Sequence, residues 1–127
     1  MSVPSIDLYG ITNCDTVKKA RTWLNERQLD YQFHDFKKIE ITSDLLKQWL
    51  QVLPVDILLN RQSTTWRKLT ADSQALANSL EGAIKIMQTH PSVIKRPILV
   101  LHSSQQQSPS LHVGFKPEQY QQLFINE

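Results

Sequence analysis

The feature that most constrains the fold is a strand, a helix and a second strand that follow one another near the beginning of the chain. Residues 6–9 alternate between apolar and polar side chains and stop at Gly10, as a short half-buried strand does. Residues 17–24 carry apolar side chains at helical spacing, in a helix predicted to end near Gln28. Residues 31–36 alternate again, so the segment predicts a βαβ unit with parallel strands and a right-handed crossover.

The middle of the chain is predicted to consist of helices. Either Thr42 or Ser43 can cap a helix that Pro54 stops. A second amphipathic stripe ends before Pro91, and a polar, turn-like stretch at 60–65 lies between the two. The apolar faces consist of Leu45, Leu46, Trp49, Leu50 and Leu53 in the first helix and of Leu80, Ala83, Ile84 and Met87 in the second.

The end of the chain is predicted to return to strands. Pro97 precedes a short apolar run at 98–101, which is typical of a central strand covered on both faces. Residues 111–115 alternate and predict an antiparallel partner for that strand, and Pro117 begins a last helix. The predicted order is that of an α/β, thioredoxin-like fold, in which a four-stranded mixed sheet is flanked by helices. The 127 residues are predicted to form one such domain, with a helical insertion at about 42–92.

Composition and charge exclude several classes of protein. The chain is 40% hydrophobic with a single cysteine, so it needs no disulfide framework and fits a reducing compartment. Residues 1–5 lack the features of a signal peptide, and no apolar run is long enough to cross a bilayer. These observations predict a cytoplasmic protein without a membrane partner. A formal net charge of +2 argues against a nucleic-acid partner, and a monomer is expected.

No metal site and no bound cofactor is predicted. The four histidines show no ligand spacing, and there is no second cysteine to join them. His34 and His112 alternate with apolar residues, which favours surface or hydrogen-bonded positions over metal ligation. Three glycines in the whole chain leave no glycine-rich phosphate loop. The Ser- and Gln-rich stretch at 103–110 is predicted to be an exposed loop.

Cys14 is the main candidate for chemistry. Helix-start signals surround it, and the N–H groups and positive dipole end of a helix N-terminus stabilise a thiolate over a thiol. Lys18, one turn further, adds to this effect, whereas Asp15 opposes it. The alternative is a structural cysteine packed as a small apolar side chain. Val17 stands where a Cys-x-x-Cys pair would have its second thiol, so any redox cycle needs an external thiol such as glutathione.

Basic side chains form the second group of candidates. Four of them lie next to predicted helix or strand ends: Arg61, Arg67, Arg96 and Lys116. There they could bind an oxyanion or a carboxylate beside a thiolate. The alternative for each is an ordinary solvated position, and Arg96 is the strongest candidate because it directly precedes Pro97. Trp66 is the tryptophan expected to line a cleft.

Five ordered motifs resemble the arsenate reductase-like (ArsC) family, and within it the YffB-type branch. They are residues 9–20 around Cys14, 58–61 (Leu-Leu-Asn-Arg), 64–69 (Thr-Thr-Trp-Arg-Lys-Leu), 94–97 (Ile-Lys-Arg-Pro) and 114–115 (Gly-Phe), and together they span almost the whole chain. The resemblance implies a thioredoxin-like sheet with a helical insertion, and a cis Pro97 that faces the cysteine.

The resemblance also implies a reaction. In arsenate reductases of this family the cysteine that matches Cys14 attacks the oxyanion, arginines that match Arg61 and Arg96 hold it, and glutathione then attacks the adduct. This sequence has Lys116 where a third arginine is expected, and lysine lacks the bidentate geometry. The prediction is therefore a glutathione-dependent thiol reductase that acts on a disulfide or an oxyanion, with glutathione as co-substrate and glutaredoxin as a possible protein partner.

The site predicted in this way has two parts. Cys14, Arg61 and Arg96 are expected to be catalytic, and the expected substrate- or glutathione-binding residues are Asn13, Lys18, Trp66, Arg67, Pro97 and Lys116. One alternative is an arsenate reductase of the glutathione- or glutaredoxin-linked type. The other is a non-catalytic protein-binding module, like the family's RNA polymerase-binding regulator, although Val17 removes that regulator's Cys-x-x-Cys switch.

Overall fold

The computed structural model describes residues 5–102 and 109–125. Residues 103–108, most of the predicted exposed loop, lie outside the described residues, as do residues 1–4 and 126–127. The elements in chain order are β1 (Ser5–Gly10), α1 (Asp15–Glu26), β2 (Gln32–Asp35), α2 (Ser43–Leu50), α3 (Val55–Leu58), α4 (Thr64–Lys68), α5 (Ala71–Ala75), a 3₁₀ helix (Leu76–Asn78), α6 (Leu80–Thr89), a second 3₁₀ helix (Pro91–Val93), β3 (Ile98–His102), β4 (Ser110–Val113) and α7 (Pro117–Ile125).

The chain divides into two compact units. The first consists of Met1–Ile39 together with Arg96–Glu127, and the second consists of Glu40–Lys95. The first unit therefore contains all four described strands with α1 and α7, and the second contains α2 to α6. No helix among the described residues is both long enough and apolar enough to span a membrane.

The sheet of the first unit has the strand order β2-β1-β3-β4. β1 pairs with β2 in parallel, as the βαβ pattern predicts, and β3 is antiparallel to both β1 and β4. The prediction of a four-stranded mixed sheet flanked by helices, in a thioredoxin-like fold, is confirmed. The apolar run 98–101 is buried throughout, because β3 lies in the interior of the sheet.

The core of the first unit lies between one face of the sheet and the two helices. Its buried members are Ile6, Leu8, Ala20, Trp23, Leu24, Leu99, Leu101 and Tyr120. Tyr120 is fully buried and its ring meets Trp23 edge-to-face at a centroid distance of 5.5 Å and Phe115 at 4.7 Å. α1 and α7 therefore pack on the same apolar cluster.

Two element ends differ from the sequence prediction for a local reason. α1 ends at Glu26 rather than near Gln28, because the N–H of Leu29 bonds back to the carbonyl of Leu24 (3.1 Å) in a left-handed helix stop. Gln28 takes the left-handed conformation there, with φ 57°. β4 ends at Val113, one residue before Gly114, whose φ of 81° turns the chain out of the sheet.

Four short helices of the second unit, α2, α4, α5 and α6, begin at hydroxyl caps. The side chains of Thr42, Ser63, Thr70 and Ser79 each accept a hydrogen bond from a backbone N–H of the helix that follows. Thr42 is thus the cap of α2, and the predicted turn-like stretch ends early because Thr64 and Thr65 already belong to α4. α5 has no buried residue and hence no apolar stripe, so its sequence shows no signal that predicts a helix.

Candidate functional site

Cys14 lies at the N-cap of α1. Its backbone is extended (φ −114°, ψ 125°), its carbonyl accepts the N–H of Lys18 at 2.9 Å, and its side chain makes no capping hydrogen bond. The cysteine is half-buried, and Asp15 follows it in the first turn. Cys14 is therefore the residue directly before the unpaired N–H groups that begin a twelve-residue helix.

The position of this helix start depends on a close approach between β1 and α1. A Cβ atom built on Gly10 would lie 2.7 Å from Cγ2 of Val17 and 3.2 Å from its Cγ1. Val17 is fully buried on α1, one turn after Cys14. A side chain at the end of β1 would have to displace Val17, so Gly10 permits the close approach that leads into the three-residue loop before Cys14.

Three loops of the first unit meet at one edge of the sheet. In the strand register Tyr9 lies opposite Ile98 and Ile98 lies opposite Val113, so the end of β1, the start of β3 and the end of β4 are neighbours. The N–H of Gly114 donates to the carbonyl of Pro97 at 2.9 Å, which ties two of these loops together.

Six of the residues predicted for the site belong to the first unit, either on these loops or at the start of α1. They are Asn13, Cys14, Lys18, Arg96, Pro97 and Lys116. The Arg96–Pro97 peptide bond is cis, as the family resemblance implies. Pro97 is buried and Arg96 half-buried, whereas Asn13, Lys18 and Lys116 are exposed.

The other three predicted site residues belong to the second unit. Arg61 follows an isolated antiparallel bridge between Leu59 and Ile94, and its guanidinium donates a hydrogen bond from Nη1 to Oδ1 of Asp56. Its Cζ atom lies 5.5 Å from the centroid of the Trp66 ring. Arg67, on α4, is exposed.

Asn60 orders the turn that carries Arg61. Its N–H donates to the carbonyl of Val93 at 2.7 Å, and its Oδ1 accepts the N–H of Gln62 at 3.0 Å. Its carbonyl accepts the hydroxyl of Ser63 at 2.9 Å. The backbone is thus held on both sides of Arg61, through an Asx-type turn.

Burial and two backbone hydrogen bonds restrain Trp66. The side chain is only 8% exposed, the backbone N–H donates to Oγ of Ser63 at 3.1 Å, and the carbonyl accepts Nε2 of Gln74 at 2.9 Å. That Trp66 lines a cleft stays a prediction. Its ring forms a fixed surface under the guanidinium of Arg61.

The first unit also contains a polar cluster that was not predicted from the sequence. The carboxylate of Asp7 bonds Nε2 of His34 through Oδ1 and Nε2 of His102 through Oδ2, each at 2.8 Å. The ring of Tyr9 stacks on His34 at 4.4 Å, and burial, followed by the charge of Asp7, raises the pKa of the Tyr9 hydroxyl. His34 is thus a hydrogen-bonded residue, as its alternating position favours.

Metal ligation has no support among the described residues. Over residues 5–102 and 109–125 no group of three or more histidine, cysteine or carboxylate side chains could hold an ion. His112 instead bonds Oγ of Ser110 at 3.1 Å, and burial lowers the pKa of its ring.

Comparisons with known proteins extend over both units. The sequence model of the ArsC family matches residues 9–123. An uncharacterised protein of Haemophilus influenzae (strain Rd) is 36% identical over 121 residues, covering 94% of this chain and 98% of the relative. The solved structure of the YffB protein is 42% identical, with a TM-score of 0.78 over 91% of this chain and 96% of that one. The global transcriptional regulator Spx of Staphylococcus saprophyticus is 29% identical over 97 residues, covering 75% of this chain and 72% of the regulator.

Proposed function

Because the chain belongs to the ArsC family, we propose that it is a glutathione-dependent thiol reductase in which Cys14 is the nucleophile. The observation that carries the proposal is the position of the single cysteine, at the N-cap of α1 and at the sheet edge that also holds Arg96 and Pro97. A helix N-terminus stabilises the thiolate, which is the attacking form of cysteine.

The proposed reaction uses one protein thiol and one molecule of free glutathione for each mixed disulfide between glutathione and the substrate. The Cys14 thiolate attacks the glutathione sulfur of a mixed disulfide, the S–S bond breaks, and the substrate leaves as a thiolate that takes up a proton. A thiolate of free glutathione then attacks the Cys14–glutathione disulfide, which releases Cys14 and oxidised glutathione. The substrate disulfide is reduced by two electrons, and glutathione supplies them.

Basic residues have a separate role in this proposal. Arg96 and Lys116 lie at the same sheet edge as Cys14, where their charges favour an anionic sulfur and the carboxylates of glutathione. Arg61 is proposed to bind an anionic group of the reactants with its planar guanidinium. Asn13, Lys18 and Arg67 remain predicted contacts for glutathione.

The experiment uses a glutathione mixed disulfide as substrate and measures release of the free thiol. The native protein is expected to turn over and to gain the mass of one glutathione when free glutathione is withheld. Cys14→Ser is expected to lose both signals, and Lys19→Ala, a change on the same helix away from the predicted contacts, is expected to keep them. Full turnover by Cys14→Ser would overturn the proposal. Arsenate offered in place of the disulfide, with and without glutaredoxin, tests the oxyanion version of the same chemistry.

The similarity to Spx favours a second candidate, a regulator that acts by binding another protein. Such a module needs no thiol chemistry, and Val17 leaves this chain without the second cysteine of a Cys-x-x-Cys switch. The two candidates differ in a single measurement. A complex with purified RNA polymerase that forms equally with the native protein and with Cys14→Ser, in the absence of turnover, supports the regulator.

A further inference from the structure

Two neighbours restrain the guanidinium of Arg61: Asp56 through a hydrogen bond and Trp66 through its ring. The hydrogen bond to Asp56 uses Nη1, and the Trp66 ring lies 5.5 Å from Cζ. Neither Nε nor Nη2 bonds to any residue within the described ranges. The side chain of Arg61 is 40% exposed, so solvent reaches it in spite of both contacts.

The remaining edge has the geometry of an anion site. Nε–H and one N–H of Nη2 are parallel donors, and such a pair matches the two oxygens of a carboxylate. An arginine without neighbours loses side-chain conformational entropy when it binds an anion through this edge, and this loss weakens binding. The turn fixed by Asn60, the ring of Trp66 and the carboxylate of Asp56 remove much of that cost in advance.

We propose that Asp56 is a positioning residue, which holds Arg61 against Trp66 so that the Nε–Nη2 edge receives a carboxylate of glutathione. The inference rests on the proposed function, in which glutathione is the co-substrate. Asp56 lies in the first turn of α3 and is 79% exposed, so it supports no core contact that would explain the pair.

Charge and position make opposite predictions for Asp56. A carboxylate next to Arg61 repels an anionic ligand, so electrostatics alone predicts tighter binding when the charge of Asp56 is removed. Positioning predicts weaker binding when the hydrogen-bond acceptor is removed, and recovery when an uncharged acceptor replaces it. Asp56→Ala and Asp56→Asn therefore separate the two effects.

The experiment follows the Nε–H resonance of Arg61 by NMR, assigned from its loss in Arg61→Lys, while reduced glutathione is added to the full-length protein. The native protein is expected to show a saturable shift. An exposed ion pair contributes about 0.2–1 kcal/mol, so Asp56→Ala is expected to weaken the apparent Kd by about 1.4- to 5-fold. Asp56→Asn is expected to restore it, and Asp72→Ala, an exposed first-turn carboxylate on α5, is the matched control with no effect.

Two outcomes would overturn the inference. One is an Asp56→Ala protein that binds glutathione as tightly as the native protein or more tightly. This result would mean that Asp56 only repels the anionic ligand or has no effect on its binding. The other is an Arg61 resonance that glutathione does not shift, although Cys14 turns over. Failure of the proposed function gives a different result. In that case Cys14→Ser would retain turnover, and the shift of the Arg61 resonance on addition of glutathione could still be measured.

Discussion

Replacing Gly10 by alanine tests whether the close approach of β1 and α1 places Cys14. The φ angle of Gly10 is not in the left-handed region, so the backbone accepts alanine, and the loss of glycine's freedom in the unfolded chain would stabilise the protein by about 0.4–1 kcal/mol. Against this, the new Cβ would lie 2.7 Å from Cγ2 of Val17. A helical valine has one strongly preferred rotamer, so Val17 cannot rotate out of the way at low cost.

The clash with Val17 is expected to outweigh the gain from the unfolded chain, so Gly10→Ala should destabilise the protein. Overpacking a core typically costs about 1–3 kcal/mol, so Gly10→Ala is expected to lower the free energy of unfolding by about 1–2 kcal/mol. Val17→Ala alone removes buried methyl groups and is expected to cost about 2 kcal/mol. In the double variant the clash is gone, so the loss should be smaller than the sum of the single losses by about 1–3 kcal/mol.

Urea unfolding followed by tryptophan fluorescence measures all four proteins, and the rate of Cys14 alkylation in the folded state reports on the helix start. Gly10→Ala is expected to shift the midpoint down by about 1 M and to change the alkylation rate, and Val17→Ala is expected to restore that rate. Additive losses, or a Gly10→Ala protein more stable than the native one, would refute the reasoning.

Two further predictions concern other parts of the chain. Gly82→Ala would place a Cβ 1.8 Å from the carbonyl oxygen of Leu76. We therefore expect urea unfolding to show a free energy of unfolding lower by about 3 kcal/mol, although helix propensity alone predicts an increase of about 1 kcal/mol. Burial lowers the pKa of His112, so the folded protein favours the neutral ring, and the stability this contributes is lost as pH falls below the unfolded value of about 6.5. Unfolding at pH 7.5 and pH 5 should show a smaller loss for His112→Gln than for the native protein, and parallel losses would contradict this.

Local patterns were sufficient for most of the fold. Alternation predicted β1, β2 and β4, and a continuous apolar run predicted β3, while proline and hydroxyl residues marked several helix ends. These signals act within a few residues of the chain, so they can be read from the sequence alone. The family assignment made from five ordered motifs is confirmed by the match over residues 9–123. The site residues drawn from those motifs remain predictions that the experiments above address.

Long-range contacts could not be predicted in this way. Asp7 bonds His102 across 95 positions, and nothing in either local sequence distinguishes the two residues from ordinary polar positions on strands. Asp56 pairs with Arg61 across five positions, a spacing outside the i+3 and i+4 pairs of a helix, so the turn around Asn60 has to be known first.

The sequence by itself determined the order and type of the main elements and the start of a helix at Cys14, because hydrophobic period and capping are local properties. Only the tertiary structure decided that Gly10, Pro97 and Gly114 meet at one edge and that Arg61 rests on Trp66. Register and side-chain contact depend on how distant segments pack against one another, and the cost of closing those long loops is met by burial that no single segment provides.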